Sequence, residues 1–587
     1  MNRNRIITPS PVSVPRAAFI MVVYHYFHES GGCFMHKHSL RRSTVAILFS
    51  CLTIVAVSGA FLSYSILTHP AGVSAAGVSK PGYSVTRGTL TPAAVVNPMT
   101  LTLDATPAST LPKGARPTHA KGHAGTIPAA SSVLDSQSRV LENFNGVSSR
   151  DSAKVNFGAE FEPPDQGLCV GNGYVVEPVN SAYTIYRTNG SKVAGPFNVN
   201  KLYGEGFKQF TSDPRCFYDK ATNTWFATIL FISANSKHGR TDLAVNPTGN
   251  PTTPWTVYHI DGTDINDNGC PCFGDQPLLG IDQYNIYIST NEFSILGPQF
   301  NGAQIYALPK SQLVALSHSV NVVHFGNLNI GGTIAASVQP ALTYDTNANA
   351  EYFMNSLDPN GTFDDRLGVW AITDRQAVGK GGIPILSNVV ISSEPYGIPP
   401  AAEQKGATTT LDSGDDRMQQ TEFINHELWG ALDTAVTIPG DPTSRAGIAW
   451  FNVQPYLVGN TIHGALLRGQ GYVALKGNYL LYPAIQVSPE GTAAIIMTLT
   501  GPTRYPSVAY AFMGAGWRSF GPVHLLAQGN THYSTSSTRW GDYSWAVLDP
   551  SGENFWMATE YIPPKNSQTP DGVSNWGTRV VEISVEQ

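Results

Sequence analysis

The stretch from Asp264 to Phe293 is the one run in the chain with metal-ligand spacing. Asp264, Asn266, Asn268 and Gly269 match D-x-[DN]-x-[DN]-G, and Asp275 stands where an EF-hand loop carries its last acidic ligand. Ca²⁺ needs a shell of oxygens. Alternating polar side chains supply three, the Cys270 carbonyl a fourth, and Asp275 completes the set. Gly269 permits the sharp bend. The same residues also make an ordinary Asn/Asp/Gly turn without metal. The expectation is a calcium loop of Asp264, Asn266, Asn268, Cys270 and Asp275, without flanking helices.

A second set is spread along the chain. Asp165, Asp213, Arg215, Asp275, Gln339, Gln419, Arg539 and Asp542 each stand at the polar start of an apolar segment. If those segments begin at one end of a common axis, the polar groups gather on one rim. Convergent carboxylates and guanidiniums are what carbohydrate or carboxylate recognition requires. Taken singly, each group is explained as well by hydrogen bonding to neighbouring strands. The ligand-binding candidates are Asp165, Asp213, Arg215, Arg539 and Asp542.

Cys169, Cys216, Cys270 and Cys272 follow the N-terminal apolar run, an even number that suits disulfides in an exported chain. Cys169 and Cys216 sit at similar points of adjacent units and are expected to be neighbours. Cys270-Pro-Cys272 is too tight for an easy internal bridge. No His-x-Cys pattern points to zinc.

The elements that must carry these groups are strands. Pro277–Ile281, a polar turn at Asp282–Asn285, and Ile286–Thr290 read as a hairpin. Related units start at Asp165, Ser212, Gly274, Val338, Gln419, Tyr482 and Arg539. Each has a polar or Pro-bearing start, an apolar strand, a turn, and a strand ending in aromatic or β-branched residues. Repeats this long and this individually decorated argue against a solenoid, and no linker divides the region into two sandwiches. The fold class is all-β: a β-propeller of seven blades, with six as the alternative, over 151–587. The tryptophans at 225, 255, 370, 429, 450, 545 and 556 are expected to pack between blades.

Before the repeats, Thr44–Leu67 is the one long apolar run, preceded by Lys37, Arg41 and Arg42. That layout is a signal peptide or signal-anchor helix, with residues 1–43 as its n-region or cytoplasmic flank. Either version exports the remainder to the outside or the cell surface. Residues 68–150, rich in Ala, Pro, Ser and Thr, read as a disordered linker. Charged residues make up 13% of the chain, against roughly 25% in ordinary soluble domains, and the net charge is -6. No basic footprint offers itself to nucleic acid.

D-P-R-C-F-Y-D…W-F-A-T, L-A-V-N-P-T-G-N-P-T-T-P-W-T-V-Y, G-D-Q-P-L-L-G-I-D…Y-I-S-T-N-E-F and R-W-G-D-Y-S…D-P…F-W-M-A-T-E-Y resemble secreted bacterial propeller proteins of the broad sialidase-like group. The likeness covers most of 156–587. The group's Asp-box, S-x-D-x-G-x-T-W, is absent, and S-G-E-N-F-W at Ser551 does not match it. The resemblance implies an arginine triad for a carboxylate (Arg215, Arg417, Arg539), Asp213 or Asp542 as acid/base, and Tyr543 as nucleophile. Two functions follow. One is a calcium-stabilised, monomeric extracellular module that binds a glycan, protein or peptide on one propeller face. The alternative is a sialidase-like glycoside hydrolase. The missing Asp-boxes favour the module.

Overall fold

The computed structural model describes residues 82–100, 127–135, 139–158, 161–357, 363–533, 538–564 and 575–585. The expected signal helix at 44–67 and its flank at 1–43 lie outside them. No described helix is long and apolar enough to cross a membrane.

Strands dominate, and they come in antiparallel meanders of four. The first six span 169–198, 210–261, 272–326, 339–396, 418–473 and 479–527. A seventh joins Trp545–Leu548, Asn554–Tyr561 and Gly577–Ser584 to Val140–Ser148, far back in the chain. The first strands of the third, fourth and fifth meanders run parallel to one another, with Ile281 paired to Leu342 and Ala341 to Thr421. The innermost strands thus share one axis, and the sheets radiate from it as in a β-propeller.

Packing explains why the strands read as near-continuous apolar runs. Thr224–Ile232 and Ala493–Gly501 are buried at every position. A sheet with neighbours on both faces needs no polar side. Separate cores fill the gaps between successive meanders. Val176, Ile185, Cys216 and Trp225 join the first to the second, and Tyr287, Phe325, Phe353 and Trp370 the third to the fourth. The seven tryptophans expected to pack are all buried.

The ring is closed by the strand Gly577–Ser584, which returns to a segment ahead of the first meander. The C-terminal strand pairs with Val140–Ser148, with Val580 opposite Phe144. Ser149–Val155 is a short helix, capped by Ser148 and Asp151 bonding reciprocally.

Part of the expected linker is ordered. Ser84–Leu90 pairs with Val320–Gly326, and Pro92–Val96 with Trp255–Asp261, adding a fifth strand to two meanders. Ile127–Pro128 and Leu134–Asp135 add short bridges to the fifth and sixth. Composition misled here because this pairing needs little apolar burial. Every residue of Ser84–Thr89 is exposed, and the gain lies in satisfying an open sheet edge. Amides paired across Ser84–Leu90 should therefore exchange slowly by hydrogen–deuterium exchange mass spectrometry. Complete exchange at the first time point would restore the linker reading.

Candidate functional site

Several meanders begin with the same local device. In the innermost strands of the second, third and sixth, the ladder slips between Ser212 and Arg215, Asp275 and Leu278, and Leu481 and Ala484. Each slip holds a residue with positive φ followed by proline: Asp213 (57°), Gln276 (50°) and Tyr482 (52°). Proline has no N–H to give the ladder, so the strand bulges there, and bulges re-aim side chains. Three non-glycine residues in the left-handed region are each strained by on the order of 1–3 kcal/mol. Their side chains and those beside them collect around the axis.

Asp165, Asp213 and Asp542 lie with carboxylate oxygens within 4.8 Å of one another. Asn180 ties this group together. Its Nδ2 donates to Asp165 Oδ2 at 2.7 Å and to the Pro163 carbonyl at 2.9 Å. Its Oδ1 accepts the Asp213 N–H at 2.7 Å. The Asp542 N–H donates to Asp165 Oδ1 at 2.6 Å. The sequence reading missed Asn180, which sits in a turn between strands and carries no signal of spacing.

Burial, then the nearby Asp542 and Asp213, raises the Asp165 carboxyl well above its usual range. Burial, with Asp275 and Asp542 adding to it, lifts Asp213 to about 7. Asp275 rises to about 6, again through burial, with Arg417 opposing the shift. Too many carboxyl groups share too little water here.

The three arginines play different parts. Arg417 grips Asp415 with two bonds of 2.7 Å and donates to Gln276 Oε1 at 2.6 Å. Arg539 pairs with Asp542. Arg215 is fully buried, its guanidinium 3.0 Å from the centroid of the Tyr543 ring and 4.9 Å from that of Trp545. No hydrogen-bond partner meets its nitrogens, and burial lowers its pKa.

A cavity of about 180 Å³ opens beside this cluster, walled by Asp275, Gln419 and Tyr482 from the meanders and by Arg539 and Asp542 from the segment leading into the seventh. Ile398, Asp412, Gly414, Asp415 and Arg417, from the segment between the fourth and fifth meanders, complete it. Gln419 is 3% exposed, and its Oε1 has no partner.

Of the expected rim, Asp275, Gln419, Arg539 and Asp542 line the cavity and Asp165 and Asp213 meet Asp542 beside it, whereas Arg215 and Gln339 do not line it, and the roles borrowed from the resemblance fit poorly. Tyr543 is buried, its hydroxyl donates to the Pro214 carbonyl at 3.2 Å, and burial raises its pKa well above normal. It does not line the cavity. Arg215 does not line it either, so Arg215, Arg417 and Arg539 form no open triad.

The expected calcium loop is not assembled as drawn. Asp275 faces the axial cavity, because the strand Cys272–Ile281 carries it roughly 10 Å from the turn. Asp264 instead neighbours Asp267, Asp261 and Glu292, and its pKa rises to about 6, chiefly through burial. Asn266 and Asn268 are exposed, and the Asn268 carbonyl accepts from Asn301 at 3.0 Å.

Both disulfides form. Cys169 joins Cys216 across the first two meanders, as expected of neighbours, at a Cα separation of 5.3 Å. Cys270 joins Cys272 at a Cα separation of 4.4 Å, a bridge that this spacing makes difficult but not impossible. That distance lies at the lower end of what a disulfide spans.

No protein-family model matches the chain, and no curated protein does. Among solved structures, an endosialidase of phage phi92 aligns over 76% of this chain and 69% of its own, with 8% identity and a TM-score of 0.35. An α-L-arabinanase of Penicillium chrysogenum, complexed with arabinobiose, aligns over 76% and 98%, with 10% identity and a TM-score of 0.33. The extracellular domains 1–2 of Drosophila Semaphorin 1b align over 77% and 88%, with 7% identity and a TM-score of 0.33. Likeness this distant speaks for neither substrate nor activity.

Proposed function

We propose that the chain is an exported, seven-bladed propeller that recognises a glycan through its axial cavity, acting as a binding module. One observation carries the reading. Polar side chains from the third, fifth and sixth meanders and from the segment leading into the seventh meet around a single cavity, with a buried acceptor, Gln419 Oε1, unsatisfied. An unpaired buried acceptor costs about 1–3 kcal/mol, which a ligand hydroxyl recovers. The volume is below the ~300–1,000 Å³ of drug-sized sites and suits one terminal sugar ring. A ligand carboxylate is disfavoured, since Arg417 and Arg539 are already paired with Asp415 and Asp542.

A glycan array read beside a panel of fluorogenic glycosides tests this. Binding without turnover is expected, and Gln419→Leu should weaken it about tenfold. Turnover abolished by Asp213→Asn would favour the hydrolase instead. The observation behind that second reading is the Asp213 carboxyl at about 7, suited to a general acid near neutrality.

Calcium remains part of the proposal at the Asp264 turn, in a changed ligand set of Asp264, Asp267 and Glu292. Burial raises both Asp264 and Glu292, and the neighbouring carboxyl groups add to it. Millimolar calcium should raise the melting temperature by mass action, and Asp264→Ala should remove the rise. A calcium-independent melting curve would reduce the turn to a turn.

A further inference from the structure

The two disulfides differ in what they span and in what can reach them. Cys169–Cys216 has a sequence separation of 47, is wholly buried, and joins the strands of two meanders. Cys270–Cys272 closes over Pro271 alone and ties a turn only to the strand that follows it. A bridge over so short a loop takes little freedom from the unfolded chain. It therefore adds little stability and is the more open of the two to exchange. Cys272 is buried while Cys270 is partly exposed, so Cys270 is the member an outside thiolate can reach. Asn301 Nδ2 lies 3.8 Å from Cys270 Sγ and 3.7 Å from Cys272 Sγ. It is fixed there by donating to Glu292 Oε1 at 2.8 Å and to the Asn268 carbonyl at 3.0 Å. An amide donor so placed stabilises a departing thiolate. Beside the bridge, Ile265 is 66% exposed and Leu296 65%. They stand on two turns that meet at it, where the Ile295 N–H donates to the Pro271 carbonyl at 2.9 Å. Two large aliphatic side chains held in water next to an exchangeable bond suit a polypeptide better than a small thiol.

We propose that Cys270–Cys272 is a thiol–disulfide exchange site that oxidises a pair of thiols on a polypeptide, a function separate from glycan recognition. A substrate thiolate attacks Cys270 Sγ, forming a mixed disulfide as the Cys270–Cys272 bond breaks and Cys272 leaves as a thiolate. The substrate's second thiolate then attacks the substrate sulfur of that mixed disulfide and releases Cys270. The substrate gains a disulfide and the chain ends with two thiols. The two protons of the substrate thiols pass through solvent to Cys270 and Cys272. A low-molecular-weight disulfide such as oxidised glutathione restores the bridge by the reverse exchange.

The test is equilibration of the whole chain in glutathione buffers of rising reducing strength, followed by alkylation with N-ethylmaleimide and peptide mass spectrometry. Cys270 and Cys272 should become alkylated together, at a ratio of reduced to oxidised glutathione at least tenfold below the one that Cys169 and Cys216 require. The melting temperature should change little. Cys272→Ser should capture glutathione on Cys270, whereas Cys270→Ser should leave Cys272 unmodified. A reduced peptide with two cysteines among leucines should lose its thiols to the chain at least tenfold faster than glutathione does. Leu296→Ser should remove that preference without altering the glutathione rate. Reduction of Cys270–Cys272 only together with Cys169–Cys216, or only on unfolding, would make the bridge structural and overturn the proposal, and that readout needs no variant. Equal rates for the peptide and glutathione would overturn the polypeptide substrate. Sugar binding is indifferent to either result.

Discussion

Raising the pH from 6.5 to 8 should lower the melting temperature by roughly 5–10 °C, corresponding to a loss on the order of 5 kcal/mol. The cause is a set of carboxyl groups buried without enough compensation. Burial raises Glu292 to about 8, with the Asn301 hydrogen bond opposing. It raises Glu177 and Asp242 to about 7, against Thr578 in one case and Arg240 in the other. Glu351, Glu422, Asp433 and Glu560 are likewise raised well above the usual carboxylate range by burial.

Each group binds its proton more tightly in the folded chain than in the unfolded one, where carboxyls titrate near ~4. Its contribution to stability is therefore complete below that value and declines as pH climbs through the folded value. The slope is about 1.4 kcal/mol per pH unit per group. His259 and His324, lowered to about 4 by burial, work the other way, but only below ~6.5. Above it the carboxyls act unopposed. Differential scanning calorimetry across this range checks the prediction, and Glu177→Gln should flatten the slope. A melting temperature that stays level or rises from pH 6.5 to 8 would refute it.

Asn180→Ala should cost about 2–4 kcal/mol and also abolish ligand binding, although Asn180 does not line the cavity. The side chain makes four hydrogen bonds, two of them to Asp165 and the Asp213 backbone. Its loss leaves a buried carboxylate oxygen and a buried N–H without partners, each worth about 1–3 kcal/mol. It also frees Asp165, which holds the Asp542 backbone at 2.6 Å and so sets the Arg539–Asp542 side of the wall. Denaturant unfolding and sugar titration read the two effects separately. A variant within about 0.5 kcal/mol of the native chain, with unchanged affinity, would show that the carboxyl cluster is held by other means.

Local chemistry told the strands in advance. Polar or proline-bearing starts, apolar runs and turn residues are properties of short segments, so the all-β class and its repeated strand units were readable from residue order. So was the burial of the tryptophans. That Asp165, Asp213 and Asp542 would share a rim followed from the repeat itself, since equivalent positions of equivalent units face one axis.

What escaped the sequence depended on partners distant along the chain. Ser84–Leu90 has no apolar pattern and is a strand only because the edge at Val320–Gly326 needs hydrogen bonds. Arg215, Arg417 and Arg539 look alike in sequence, yet one stacks on Tyr543 and two are matched to carboxylates. Asp264 and Asp275 fit one motif, but an extended strand carries them to different surroundings. Residue order sets which backbone hydrogen bonds are locally available. Which charges meet, and how much water they keep, is decided where strands from separate meanders converge on the axis, because desolvation and Coulomb forces act through space.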